Sequence, residues 1–525
     1  MARAKLAERV ATLLTAAAIG LCCVAGLGVL VGCRVSNSDI KRWGTTEHGP
    51  EKLVAVVSHE KYDWPLRAEA ALELIRMKPR SGRRVGINRL IETLSFMSPD
   101  ERKKLIDGMA PEIIKQVKQP PPAGAAEDPS YPYKDTTVAL LTYDKAILVS
   151  DDNVRKQLTE ALVQWSQMDF ERRLENSTQM FGMEQMMRSL GAPAVKGMPG
   201  LITRDSTKFD RIAAMVSELG DQPTKEAAAV KLVELAKYTS SEEWEKKTTP
   251  LLQDANKASK IVTTPQQFKA QLAQYQDEQL TKVFAAIKKV GTRPSIDYCL
   301  AVGADKNQGE KRREAALAAL EGRLDRNNAA DVERIFAIAS ADDVPDNVRD
   351  MAFSRIGEMP REQVIGRLYG LFSAKRWKVR WVCAGLVLTM SNTTQLGEFM
   401  GKLPGGAAPG FALSEPLSYG GKIDKMQVKD NLSPLNAVKP FLKEGSLAAR
   451  LTALGYFYAT GKTSDVPIIE SFKTDKTPVP KIDDPDGKWQ CDVPKGADGK
   501  ETETKTITTV GEFVSFCVEP AMRGR

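Results

Sequence analysis

Pro65-Leu66-Arg67-Ala68-Glu69-Ala70-Ala71-Leu72-Glu73-Leu74 is the stretch that decides the architecture. A basic residue is followed three and four places on by alanines, then by aliphatic residues at helical spacing. The register returns in Pro223-Thr224-Lys225-Glu226-Ala227-Ala228-Ala229-Val230-Lys231-Leu232. Weaker copies stand at Asn153-Val154-Arg155, Arg312-Arg313-Glu314-Ala315-Ala316-Leu317, Asn347-Val348-Arg349-Asp350-Met351-Ala352 and Lys378-Val379-Arg380-Trp381-Val382-Cys383-Ala384. Arg312, Arg349 and Arg380 are separated by 37 and 31 residues, and Lys225 follows Arg155 by 70, about two such units. Single helix pairs of this size cannot bury their apolar stripes, so neighbouring pairs must stack and share a core. Ala70 and Ala71 let helices approach closely, Leu74 fills the space between layers, and Asp63 and Asp346 suit helix starts.

The pattern resembles the HEAT repeat, whose second helix carries Val-Arg followed by small residues. The resemblance implies an all-α fold, an α-solenoid of paired antiparallel helices, which is a platform and not a chemistry. Local signals agree. Ser98-Pro99-Asp100-Glu101 reads as an N-cap with a reciprocal glutamate before a helix over 102–117, and Thr264-Pro265-Gln266-Gln267 does the same before a helix reaching about 289. Gly291 and Pro294 end that second helix. Aromatic residues are only 6% of the chain, which suits helix-on-helix packing.

Interruptions divide the array. N-terminal repeats are expected over 33–118, a proline-rich linker over 119–134, central repeats over 135–402, a glycine- and proline-rich loop over 403–433 and a last repeat over 434–473. In that loop Phe411, Leu413 and Leu417 are available to pack. A polar cap follows over 474–525, with two short strands near 488–493 and 501–508 and a short helix near 511–518.

The N-terminus carries an address. Arg3, Lys5 and Arg9 precede an apolar stretch over 11–32 that ends in Leu30-Val31-Gly32-Cys33. A basic lead, an apolar core and small residues before a cysteine mark a signal peptide over 1–32. The stretch is also long enough for a retained membrane helix, but Gly20, Gly26, Gly28 and Gly32 suit a long helix poorly. Its last four residues resemble the lipobox of bacterial lipoproteins. That resemblance implies lipidation of Cys33 and a lipid-anchored, periplasm-facing protein. Arg34, where an aspartate would signal inner-membrane retention, favours the outer membrane.

The formal net charge is +8, and the leader accounts for three basic residues and one acidic, leaving about +6. That excess is too small to argue for nucleic acid. Cys299 and Cys383 lie on apolar helical faces as core thiols, while Cys491 and Cys517 flank a polar tail and are expected to pair in an oxidising compartment.

No constellation of catalytic residues, cofactor loop or metal ligands is expected. Gly461-Lys462-Thr463 ends like a phosphate-binding loop, but five residues separate Gly455 from Gly461 where four are required, so Gly461 reads as a helix cap. Met180, Met183, Met186 and Met187 have the spacing of a core stripe, and Asp484, Asp486 and Gly487 lack the distal glutamate of a calcium loop. His48 and His59 are the only histidines and read as surface residues. One cluster stands out: Arg76, Lys78, Arg80, Arg83, Arg84 and Arg89, around Pro79 and Gly82, a candidate patch for anionic partners. The expected function is a membrane-anchored scaffold or assembly factor that binds proteins of the cell envelope. The alternative is a lyase or hydrolase acting on envelope polymers with carboxylates alone.

Overall fold

Helices make up nearly all the regular structure in the computed structural model, which describes residues 35–122, 128–175, 180–325, 328–404, 414–479, 490–495 and 501–525. The fold is all-α with one two-stranded antiparallel hairpin near the C-terminus. Two compact units divide the chain. One comprises 1–201, 205–208 and 215–224; the other comprises 202–204, 209–214 and 225–525. The expected central array of 135–402 therefore crosses a unit boundary.

In the first unit, α1 (Asn37–Trp43), α2 (Gly49–Ser58), α3 (Trp64–Arg76), α4 (Val85–Phe96), α5 (Pro99–Val117), α6 (Tyr131–Thr142) and α7 (Asp152–Gln167) pack on near neighbours in sequence. Helix α3 touches each of α1, α2, α4, α5 and α6, so Ala70, Ala71 and Leu74 are fully buried. Caps act where expected: Asp63 accepts from Leu66 N at 3.0 Å, and the Ser98 hydroxyl donates to Glu101 at 2.8 Å.

The recurrent arginine has a structural task. Arg67, 2% exposed, donates from Nε to the carbonyl of Val57 at 2.7 Å, ten residues back, and lies 4.0 Å over the Trp64 ring. Arg155 donates to Val149 O at 2.6 Å. In the second unit Arg349 donates to Ala341 O at 2.6 Å and Arg380 to Ala374 O at 2.7 Å. The guanidiniums of Arg67, Arg349 and Arg380 thus fill acceptors at or just beyond the end of the preceding helical segment, where carbonyls lack helical partners and the dipole favours a cation, while Arg155 ties down the connection before its own helix.

The register at the fourth copy is corrected by this geometry. Arg313 is 4% exposed and donates from Nε to Gly303 O at 3.0 Å, again ten residues back. Arg312, the residue expected in this role, pairs instead with Asp277 at 2.6 Å and donates to Gln276 Oε1. Arg313→Ala is expected to cost about 2 kcal/mol because a charge-assisted bond and its buried acceptor are lost. Arg312→Ala should cost about 1 kcal/mol, because its ion pair with Asp277 is partly exposed and water from the groove it lines can replace its bond to Gln276. Hydrogen exchange over 293–318 in the two variants measures the difference, and equal losses would contradict the register.

In chain order α8 (Met183–Leu190) and α9 (Phe209–Leu219) come next. The second unit stacks most of α10 (Gln222–Thr239), then α11 (Glu242–Ala258), α12 (Pro265–Val290), α13 (Arg293–Ala304), α14 (Glu310–Ala318), α15 (Ala329–Ser340), α16 (Asp346–Ile356), α17 (Arg361–Gly370), α18 (Trp377–Thr389), α19 (Leu396–Lys402), α20 (Ser414–Ile423) and α21 (Leu447–Thr460). Contacts run from each helix to the next or next but one, as in α12 with α14, α13 with α15 and α14 with α16. Helix α20 lies inside the stretch expected to be a loop, because its C-terminal half packs tightly on α21: a Cβ on Gly420 would collide with the backbone of Gly455. Phe411 and Leu413 lie outside the described residues, and so does the side chain of Leu417. Likewise α6 begins at Tyr131, inside the expected linker, with Pro132 in its first turn where a missing N–H costs nothing.

The tail forms β1 (Gln490–Lys495) and β2 (Glu501–Thr506), pairing from Gln490 with Thr506 to Lys495 with Glu501. A helical run follows as α22 (Val510–Phe513), a π turn Val514–Val518 and α23 (Glu519–Arg523). This run, not the hairpin, covers α21, burying Val514, Val518 and Met522. A disulfide joins Cys491 to Cys517 with the Cα atoms 5.7 Å apart.

Candidate functional site

The basic loop between α3 and α4 is the first candidate, and the structure distributes its six cations unequally. Arg76 donates from Nε to the Tyr133 hydroxyl at 2.9 Å and from Nη1 to Glu69 at 2.7 Å. Burial works against its charge, and the Glu69 and Tyr133 hydrogen bonds overcome it and hold the guanidinium charged. Arg80 donates to the carbonyls of Glu47 and Thr46 at 2.6 and 2.5 Å. Arg84 places Nε 3.0 Å from Asp135, which is fully buried. Arg89 pairs with Glu92 at 3.2 Å. Lys78 and Arg83 are exposed. Arg76, Arg80 and Arg84 turn inward to join the loop to α6 and to the α1–α2 connection, while Lys78, Arg83 and Arg89 stay at the surface.

The inward side is a cavity of about 470 Å³ lined by Arg76, Lys78, Arg84, Gln116, Tyr131 and Tyr133, with Asp128 and neighbouring prolines. Helix α6 supplies its floor because α3, α4, α5 and α7 surround it, leaving Lys134, Asp135, Thr136 and Thr137 fully buried. Burial pushes the Tyr131 and Tyr133 phenols up, so both stay protonated and able to donate. Behind them, Asp128 binds the fully buried Arg173, whose guanidinium lies 4.3 Å over the Trp165 ring. Sequence reading missed this group. Its available signal was the aromatic run Tyr131-Pro132-Tyr133 ahead of Lys134-Asp135, set in a chain otherwise poor in aromatics.

A second concavity, about 610 Å³, crosses α10, α12 and α13 in the second unit. Its position follows from a tight reversal: Gly291 (φ 59°) ends α12, and Thr292, Arg293 and Pro294 start α13 at once. Phe284 and Tyr298 then stack at 6.2 Å with planes 20° apart, and the Lys237 ammonium stands 6.0 Å from the Tyr298 ring. Burial pushes the Tyr298 phenol up to about 12, partly offset by a hydrogen bond to Ser240. Asp297 on the wall is held below the usual carboxylate range, first by hydrogen bonds from Arg293, then from Arg334. Arg293 also binds the fully buried Asp331 at 2.8 Å. Asp305, Gln308 and Arg312 complete the rim. An aromatic floor between acids and bases offers apolar area together with hydrogen-bond donors and acceptors.

Other residues singled out in the sequence fall as follows. Met183, Met186 and Met187 are buried, while Met180 is 41% exposed. Gly461 caps α21, donating from N to Phe457 O at 2.8 Å. His48 and His59 are exposed. Cys299 and Cys383 are buried free thiols, and burial pushes the Cys299 thiol up to about 12. Cys33, Asp484, Asp486 and Gly487 lie outside the described residues. Among the described residues no cluster of three or more potential metal ligands occurs, and no helix is long and apolar enough to cross a membrane. No known protein family matches this chain, and no curated protein is similar to it.

Proposed function

We propose that this chain is a lipid-anchored HEAT-like scaffold of the bacterial cell envelope, fixed through Cys33 and binding envelope proteins along its helical stack. The observation that carries the reading is the groove over α10, α12 and α13, with its Phe284–Tyr298 floor and mixed-charge rim. The arginines Arg313 and Arg349 of the second unit support it, because cations buried between layers stiffen the stack that presents the groove. The Cys491–Cys517 disulfide supports an extracytoplasmic address, where such bonds persist. Anchoring holds the groove at a membrane surface and raises its effective concentration toward membrane partners.

A photocrosslinking residue in place of Ala301, which is exposed on the groove, tests this in intact cells. The expected result is a discrete set of crosslinked envelope proteins, lost when Lys237→Glu reverses the charge beside Tyr298. Cys33→Ser should release the protein from the membrane fraction. Crosslinks that survive the charge reversal, or match those from a probe at Val262 outside the groove, would reject the scaffold reading.

A further inference from the structure

Arg84 is the least satisfied buried cation in the first unit. Its side chain is nine-tenths buried, and Nε sits 3.0 Å from Asp135 but too misaligned to bond. Among the described residues this buried Nε has no hydrogen-bond acceptor, although a buried donor needs one. Asp135 cannot neutralise it alone. The same carboxylate, fully buried, lies 2.6 Å from the Lys134 ammonium and accepts from the backbone of Met180 and Phe181. Asp135 is thus shared between the Arg84 guanidinium and Lys134, whose charge burial works against, and Arg84 lines the 470 Å³ cavity.

We propose that this cavity is a binding site for a phosphate group, independent of the groove in the second unit. Arg76 and Lys78 line it beside Arg84, and the protonated Tyr131 and Tyr133 supply further donors. The acid in its lining, Asp128, is already committed: one oxygen takes Arg173 and the other takes Ser130. A carboxylate ligand would be filled by one guanidinium fork. The Arg84 guanidinium, the Lys78 ammonium, two phenols and the Nη2 donors left on Arg76, whose Nε and Nη1 are taken by Tyr133 and by Glu69 with Glu73 nearby, match a tetrahedral dianion with three or more acceptor oxygens. The phosphate could belong to a lipid headgroup or to a soluble phosphomonoester, since both present the same oxygens to the site.

Titration calorimetry on the purified full chain tests the site with two probes, inorganic phosphate and a water-soluble short-chain phosphatidic acid. Saturable binding of at least one is expected. Lys78→Gln, at the exposed rim, should weaken it about tenfold, and Lys78→Glu should abolish it. Arg84→Gln should also abolish it, and if that variant fails to fold the two Lys78 variants still decide. Phosphatidic acid binding at least tenfold tighter identifies the headgroup as the natural source, and equal affinities identify a soluble phosphate. Absence of saturable heat from both probes up to about 10 mM, or unaltered binding by Lys78→Glu, would overturn the proposal.

Discussion

Arg173→Met is expected to destabilise the first unit by about 3–5 kcal/mol, the cost of leaving one partner of a buried ion pair alone. Arg173 is fully buried, and donates to Asp128 at 2.8 and 3.0 Å and to the carbonyls of Trp165 and Met168 at 2.6 and 3.1 Å. Methionine keeps the packing against Trp165 but supplies no donors. Asp128 would keep only Ser130, and two carbonyls would face an apolar side chain. Adding Asp128→Leu removes the stranded carboxylate, so the double variant should recover a substantial part of the loss. The coupling in that cycle should exceed about 2 kcal/mol. Because the chain has two units, one melting temperature does not report the effect. Hydrogen exchange over 131–142 and 152–167 does, and a loss under about 1 kcal/mol there would show that water reaches Asp128 freely.

The same network shows why some of the molecule was legible in the sequence and some was not. Capping at Ser98 and Thr264 is local, involving residues three apart, and needed no knowledge of neighbours. Alanine and leucine at helical spacing placed α3 and its inner face for the same reason. The start of helix α6 is hidden because the prolines from Pro120 to Pro132 read as a linker over 119–134, and the polar run Lys134 to Thr137 carries no apolar stripe. Four surrounding helices override both signals by burying those residues, and Pro132 sits in the one turn that tolerates it. Adjacent Arg312 and Arg313 are equivalent by composition, and only the position of Gly303 decides which enters the layer. The inward turn of three of the basic loop's cations is hidden in the sequence for a related cause. Charge is visible in a sequence, but the partner of Arg76 is Tyr133, 57 residues away, and that of Arg84 is Asp135.

Removing the Cys491–Cys517 bridge should weaken the C-terminal cap by about 3.5 kcal/mol on the loop-entropy relation, given a sequence separation of 26. The loss should be local. The helical run from Val510 onward is held to α21 by buried Phe513, Val514, Val518 and Met522, and by Arg525 Nη1 donating to Gly461 O at 3.0 Å. The hairpin has less to hold it: Glu503 and Thr504 are exposed on β2, as are Gln490 and Asp492 on β1. An isolated two-stranded hairpin is at best marginal in water. The bridge therefore acts as the hairpin's attachment to the π turn that carries Cys517. Cys491→Ser paired with Cys517→Ser, or mild reduction of the native chain, should speed amide exchange in β1 and β2 by about two to three powers of ten. Exchange in α3 and α5 should not change. Acceleration below about threefold in the hairpin would mean that backbone pairing, not the covalent link, fixes it. Reduction before export would then leave the cap intact, and the disulfide would carry no weight as a sign of an oxidising address.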